Sequence, residues 1–296
     1  MHARFLCTRC CCWTTVFALV SLFVARAQSP TSNQEPPVTP QQVTVAHDAP
    51  LNPALPTVFI VGDSTARNQA DLGWGDHFAH FFDLTSVNIA NRAIAGRSTR
   101  TYIKEGAWAR TLSEIKAGDY VLIQMGHNDG GALDGPKPRG TLKGLGDESR
   151  DVTLLSGEKE TVHTYGWYLR TYIAATRAKG ATPILLTLTV RNIWTTGPDG
   201  KQKIELDMGY GNTLRQLAAS EHVALLDMAR IEADRLEALG QEKTAKLFPV
   251  DHTHTSAEGA ELNAHCVAEA IRASDLPIRI WLKNPPPSDA AGAKLS

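Results

Sequence analysis

Cysteine is scarce outside one short stretch. Cys7, Cys10, Cys11 and Cys12 crowd the N-terminus and only Cys266 lies beyond them, so the body of the chain can close no internal disulfide. A chain of 296 residues, 43% hydrophobic, can stabilise itself by burial alone. Cys266 falls in the pattern Leu262, Cys266, Val267, Ile271 and reads as a core residue on a helix rather than a reactive thiol. Long apolar runs are also missing: past the N-terminus each is broken by charge, Gly or Pro within about ten residues, against the ~20 that a membrane-spanning helix needs. Basic excess is absent, with 30 Lys and Arg against 31 Asp and Glu, which leaves nothing to hold nucleic acid. There are no internal repeats.

What is present is ordered along the chain. Arg4 and Arg9 precede an apolar stretch from Cys10 to Ala25, and Ala25-Arg26-Ala27 has the small-x-small form of a signal peptidase site. Residues 1–27 therefore read as a signal peptide, with an uncleaved anchor as the alternative. The expected product is secreted or periplasmic, with no stable membrane insertion after cleavage. Losing Arg4, Arg9 and Arg26 moves the formal charge from −1 to −4, so any affinity for an anionic polymer has to come from local arginines. Residues 28–55, rich in Gln, Pro, Thr and Asn, read as a flexible leader. Residues 56–283 read as one catalytic domain, and 284–296, opening on Asn284-Pro285-Pro286-Pro287, as a disordered tail.

Within the domain, short β-branched runs alternate with stretches of helical spacing. The strand candidates are Val58–Val61, Val87–Ile89, Tyr120–Ile123, Ile184–Leu186 and Val223–Leu226, mainly apolar, as strands covered on both faces are. The helix candidates are Gly75–Phe82, Thr161–Lys179, Ile204–Glu221, Met228–Leu239 and Ser256–Ala273. This alternation predicts an α/β fold, a three-layer α/β/α sandwich around a central parallel five-stranded sheet. Ligands of such sheets bind beyond the carboxyl ends of the strands.

Four motifs bear on chemistry. Gly62-Asp63-Ser64-Thr65 directly follows the first strand and would hold a hydroxyl at the sheet's carboxyl edge; alone it is also a common turn. Ala95-Gly96-Arg97-Ser98 offers a glycine whose backbone N–H can approach a developing oxyanion closely. Gly126-His127-Asn128-Asp129 follows the strand that ends near Met125 and supplies a side-chain amide, Asn128, to the same anion. Asp251-His252-Thr253-His254 precedes the last helix and sets a carboxylate three residues before an imidazole, close enough to fix its tautomer. A metal site is the competing reading of that last cluster. Each motif is weak by itself, but together they fill the roles of acyl transfer: nucleophile Ser64, base His254, orienting Asp251, and an oxyanion hole from Ser64, Gly96 and Asn128. No metal and no cofactor are expected.

On these motifs the chain resembles the GDSL/SGNH hydrolases over about residues 57–273, with an SGNH (flavodoxin-like) fold implied. It lacks the Gly-x-Ser-x-Gly elbow of other serine hydrolases. Gly62-Asp63-Ser64-Thr65, Ala95-Gly96-Arg97-Ser98, the segment His163–Leu169 and Asp251–Thr255 look most like rhamnogalacturonan acetylesterases. The resemblance implies hydrolysis of acetyl esters on a pectic backbone, so the expected partner is an acetylated polysaccharide or oligosaccharide. The alternatives are acetylated xylan or another glycan, a lysophospholipid, or a non-catalytic carbohydrate-binding protein.

Three residues are candidates for substrate contact. Trp74 is placed to stack on a sugar ring or simply to pack near a helix start. Arg97 and Arg100, close to Gly96, are candidates to meet a galacturonate carboxylate. The long segment from Gly130 to Thr161 has no clear period and is expected to wall the cleft.

Overall fold

The computed structural model describes residues 50–206 and 208–284. The expected signal peptide, the leader up to residue 49 and the tail from 285 lie outside the described residues. Among the described residues the strands are β1 (Thr57–Gly62), β2 (Asn88–Asn91), β3 (Tyr120–Gln124), β4 (Ser149–Thr153), β5 (Lys159–His163), β6 (Thr182–Leu186), β7 (Trp194–Thr196), β8 (Gln202–Ile204) and β9 (Ala224–Leu226). The helices are α1 (Trp74–His77), α2 (Thr99–Lys104), α3 (Ala107–Glu114), α4 (Tyr165–Ala178), α5 (Gly211–Ser220), α6 (Met228–Leu239), α7 (Gln241–Leu247) and α8 (Ala257–Ala273). Among the described residues no helix is long and apolar enough to cross a membrane.

The five expected strands make one parallel sheet in the order β2-β1-β3-β6-β9. Successive side chains of a strand point to opposite faces, and β1 divides accordingly. Val58 and Ile60 pack with Cys266, Val267 and Ile271 of α8 on one face, while Phe59 and Val61 pack with Tyr102 of α2, Trp108 of α3 and Tyr172 of α4 on the other. Cys266 is fully buried, as its helical spacing predicts.

The edges of the elements differ from expectation where local chemistry overrides periodicity. The helix expected over 161–179 starts at Tyr165, because the Thr164 hydroxyl accepts the Trp167 N–H and caps it. The residues before it alternate and pair with Ser149–Thr153 as an antiparallel hairpin. Ile204 likewise closes a small hairpin with Trp194, so the next helix begins only at Gly211. The end of the expected leader is not loose: Asn52 exchanges backbone hydrogen bonds with the Asn88 side chain, and Lys116 Nζ donates to the Pro53 and Leu55 carbonyls.

Candidate active site

Three of the motifs leave adjacent strands at one height. Gly62 pairs with Gln124 across β1 and β3, and the Ile94 N–H donates to the Gly62 carbonyl from the β2 side. The loops carrying Ser64, Gly96 and Asn128 are therefore neighbours at the carboxyl edge. Gly96 takes φ +76°, a left-handed conformation that favours glycine. Gly126 allows close packing, since a Cβ there would lie 2.8 Å from a Leu188 methyl.

The fourth motif reaches the same edge from the far end of the chain. Asp251 Oδ1 accepts the Thr253 and His254 amides at 2.6 and 2.8 Å, folding the loop around its carboxylate. Its Oδ2 lies 2.7 Å from His254 Nδ1, and His254 Nε2 lies 2.9 Å from Ser64 Oγ. Burial works against the Asp251 charge, but the His254 ring and the two amides outweigh it and hold the carboxyl below its usual range. Ser64, His254 and Asp251 thus form one hydrogen-bonded line, an arrangement able to move a proton from hydroxyl to imidazole. Ser256 caps α8 immediately afterwards, which anchors the loop.

Asn128 donates one amide N–H to the Arg97 carbonyl at 3.0 Å, tying its loop to the Gly96 loop. Below it Asp129 is buried and receives the Thr99 N–H and hydroxyl at the start of α2. Burial raises the Asp129 carboxyl to about 7 against those donors, and the nearby Asp63 charge adds to the rise. Asp63 resists its own burial through the His127 ring, 3.2 Å away, and the Thr65 N–H and hydroxyl, which keep its carboxyl low. Among the described residues no group of three or more His, Cys, Asp or Glu is placed to hold a metal ion.

The three expected substrate contacts need correction. Trp74 is fully buried and donates from Nε1 to Gln124 Oε1 at 2.7 Å, with its ring edge-on to Phe78, so no sugar can stack on it. Arg97 is 8% exposed and pairs with Glu105 at 2.7 Å while donating to the Ala95 carbonyl. Arg100 is 1% exposed, bidentate with Glu160 at 2.7 Å and bonded to the Leu133 and Gly140 carbonyls. Both guanidiniums are committed to the protein's own scaffold. Glu160 lies in the segment that shows no period in the sequence, so its partnership with Arg100 is invisible at that level. The same holds for the His127–Asp63 contact, which joins residues far apart in the chain.

Residues 60–262 match the model of the GDSL-like lipase/acylhydrolase family. The chain belongs to this family. Within it, the protein is similar to the rhamnogalacturonan acetylesterase of Emericella nidulans, 36% identical over 73% of this chain and 84% of that one. It is also similar to the rhamnogalacturonan acetylesterase RhgT of Bacillus subtilis, 31% identical over 75% of this chain and 92% of that one. Among solved structures, protein YxiM of Bacillus subtilis superposes with a TM-score of 0.59 at 24% identity, over 74% of this chain and 56% of that one. An acetylxylan esterase from Geobacillus stearothermophilus superposes with a TM-score of 0.50 at 17% identity, over 78% and 97%. At these identities the two structures speak for the fold alone. This GDSL-family chain carries the four motifs at the carboxyl edge of the sheet, where such folds bind ligands.

Proposed function

We propose that this protein is a serine acetylesterase that removes acetyl groups from a plant cell-wall polysaccharide, rhamnogalacturonan first among them. The observation that carries the reading is the unbroken line Asp251–His254–Ser64, in a family member similar to two proteins named rhamnogalacturonan acetylesterases.

Ser64 Oγ attacks the acetyl carbonyl while His254 Nε2 takes its proton. Asp251, ionised and bonded to Nδ1, holds the ring in the tautomer that leaves Nε2 free and stabilises the imidazolium that forms. The carbonyl oxygen becomes an oxyanion facing the Ser64 and Gly96 amides and the second N–H of Asn128. The bond from the acyl carbon to the sugar oxygen then breaks, and the sugar leaves with the proton from His254. Water, deprotonated by His254, attacks the acetyl-enzyme and releases acetate and Ser64. The reaction balances with no cofactor.

Export fits this role. Its support is the pattern of Arg4, Arg9, the apolar stretch to Ala25 and Ala25-Arg26-Ala27. Acetate release from acetylated rhamnogalacturonan and acetylated xylan, and fatty-acid release from a long-chain acyl ester, together test the substrate reading. The pectic polymer is expected to turn over fastest, and faster turnover of xylan would move the assignment to that glycan.

A further inference from the structure

Arg97, Arg100, Arg139 and Arg191 lie in the segments that follow the strands at the carboxyl edge, and the first three have clear partners. Arg97 is held by Glu105, Arg100 by Glu160, and Arg139 donates to the Gly96 carbonyl at 3.3 Å. Arg191 is different. It follows β6, the strand next to β3, and is half-buried. Its Nη2 donates only a long bond, 3.4 Å, to the carbonyl of His127, the residue before Asn128. Its Nε is buried without a partner, and among the described residues no carboxylate pairs with it.

Its position is fixed from two sides of the site. The next residue, Asn192, donates its backbone N–H to the His252 carbonyl at 2.8 Å, inside the loop that carries Asp251 and His254. The preceding residue, Val190, donates its N–H to Glu232 at 2.9 Å, anchoring the loop to α6. Arg191 thus stands between the His254 loop and the Asn128 loop. Strands are spaced by about 4.8 Å, so the loops after β1 and β6 are roughly 10 Å apart, within the reach of one bound oligosaccharide.

We propose that Arg191 binds a carboxylate of the substrate, that of a uronic acid in the acetylated backbone, and so selects anionic acetylated glycans over neutral ones. This rests on the acetylesterase reading above and deepens it. A guanidinium stays charged at any working pH and presents several N–H groups in a planar fork that suits two carboxylate oxygens. Here most of those donors are unused, and partial burial strengthens what they bind relative to an exposed pair. The net charge of −4 expected after loss of residues 1–27 repels a polyanion, so a local cation of this kind is what the substrate requires.

The test compares wild type, Arg191→Gln and Arg191→Lys on one acetylated rhamnogalacturonan oligosaccharide in two forms, with free carboxylates and with the carboxylates methyl-esterified. The readout is the ratio of kcat/KM for the acid over the ester, which cancels any general damage to the site. Arg191→Gln is expected to lower that ratio about tenfold or more through KM, with Arg191→Lys between it and wild type, because lysine keeps the charge but not the fork. An unchanged ratio in Arg191→Gln, with wild type active on both forms, would overturn the role of Arg191 and leave the acetylesterase reading intact. Wild type releasing acetate from neither form, while hydrolysing an aryl acetate, would instead overturn the substrate reading and this assignment with it.

Discussion

Asn128 has two amide hydrogens, and only the one donated to the Arg97 carbonyl is committed to the fold. The other is the donor that the reaction needs as charge develops on the carbonyl oxygen. Removing an oxyanion donor acts mainly in the transition state. Asn128→Ala is therefore expected to lower kcat roughly 10²–10³-fold with KM nearly unchanged, as steady-state kinetics on an aryl acetate would show. A rise in KM alone would make Asn128 a ground-state contact. At this scale the sequence was legible where chemistry is local: Asp251 and His254 are three residues apart and meet as their spacing predicts. It was illegible for Trp74, Arg97 and Arg100, because side chains near a motif in sequence can point into the core or find a partner far along the chain. Arg100 and Glu160 are sixty residues apart.

At the scale of elements, that ion pair is what ties the β4–β5 hairpin to α2. Arg100 also bonds two carbonyls of the loop before the hairpin, and Lys104 reaches Glu160 from the same helix. Removing one partner of a buried pair typically costs about 3–5 kcal/mol, and Lys104, which stays on Glu160, keeps the loss here at the low end. Arg100→Gln should lower unfolding free energy by about 3 kcal/mol in a urea titration and reduce activity on neutral and anionic esters alike; a loss confined to anionic substrates would restore Arg100 as a substrate contact. The same distant pairing explains why the hairpin was not visible in the sequence, whereas the five strands of the central sheet, mainly apolar, were.

Glu232 of α6 gives the elements a pH dependence. Burial raises its carboxyl to about 8 against the Val190 amide that it accepts. In the unfolded chain it titrates near the ordinary 4.5, so the folded state binds the proton more tightly. Its contribution is complete below that ordinary value and is lost as pH rises towards about 8. Glu232→Gln mimics the neutral form and should flatten this loss. Each pK unit corresponds to about 1.4 kcal/mol, so the variant should gain at least that much relative to wild type between pH 5 and pH 8 in urea midpoints. Parallel pH profiles for the two proteins would contradict the assignment.

Over the whole molecule, the sheet order explains why four weak motifs become one site. β1 lies between β2 and β3, so neighbouring parallel strands deliver Ser64, Gly96 and Asn128 to the same edge. The chain returns after α7 to add Asp251 and His254 ahead of α8. Alternation of strands and helices made this architecture readable, because parallel connections leave few ways to arrange five buried strands. Which polysaccharide fits is a property of loops, and those were the least readable parts.

The central claim is that Ser64 is the nucleophile that His254 activates. Its most direct test is acetate release from acetylated rhamnogalacturonan by wild type and by Ser64→Ala, with folding of the variant confirmed by its melting temperature. Wild type should release acetate, and the variant should lose activity by a factor on the order of 10⁶. A folded variant that keeps more than about a tenth of wild-type activity would contradict the account, since a triad acting as a unit does not survive loss of its nucleophile.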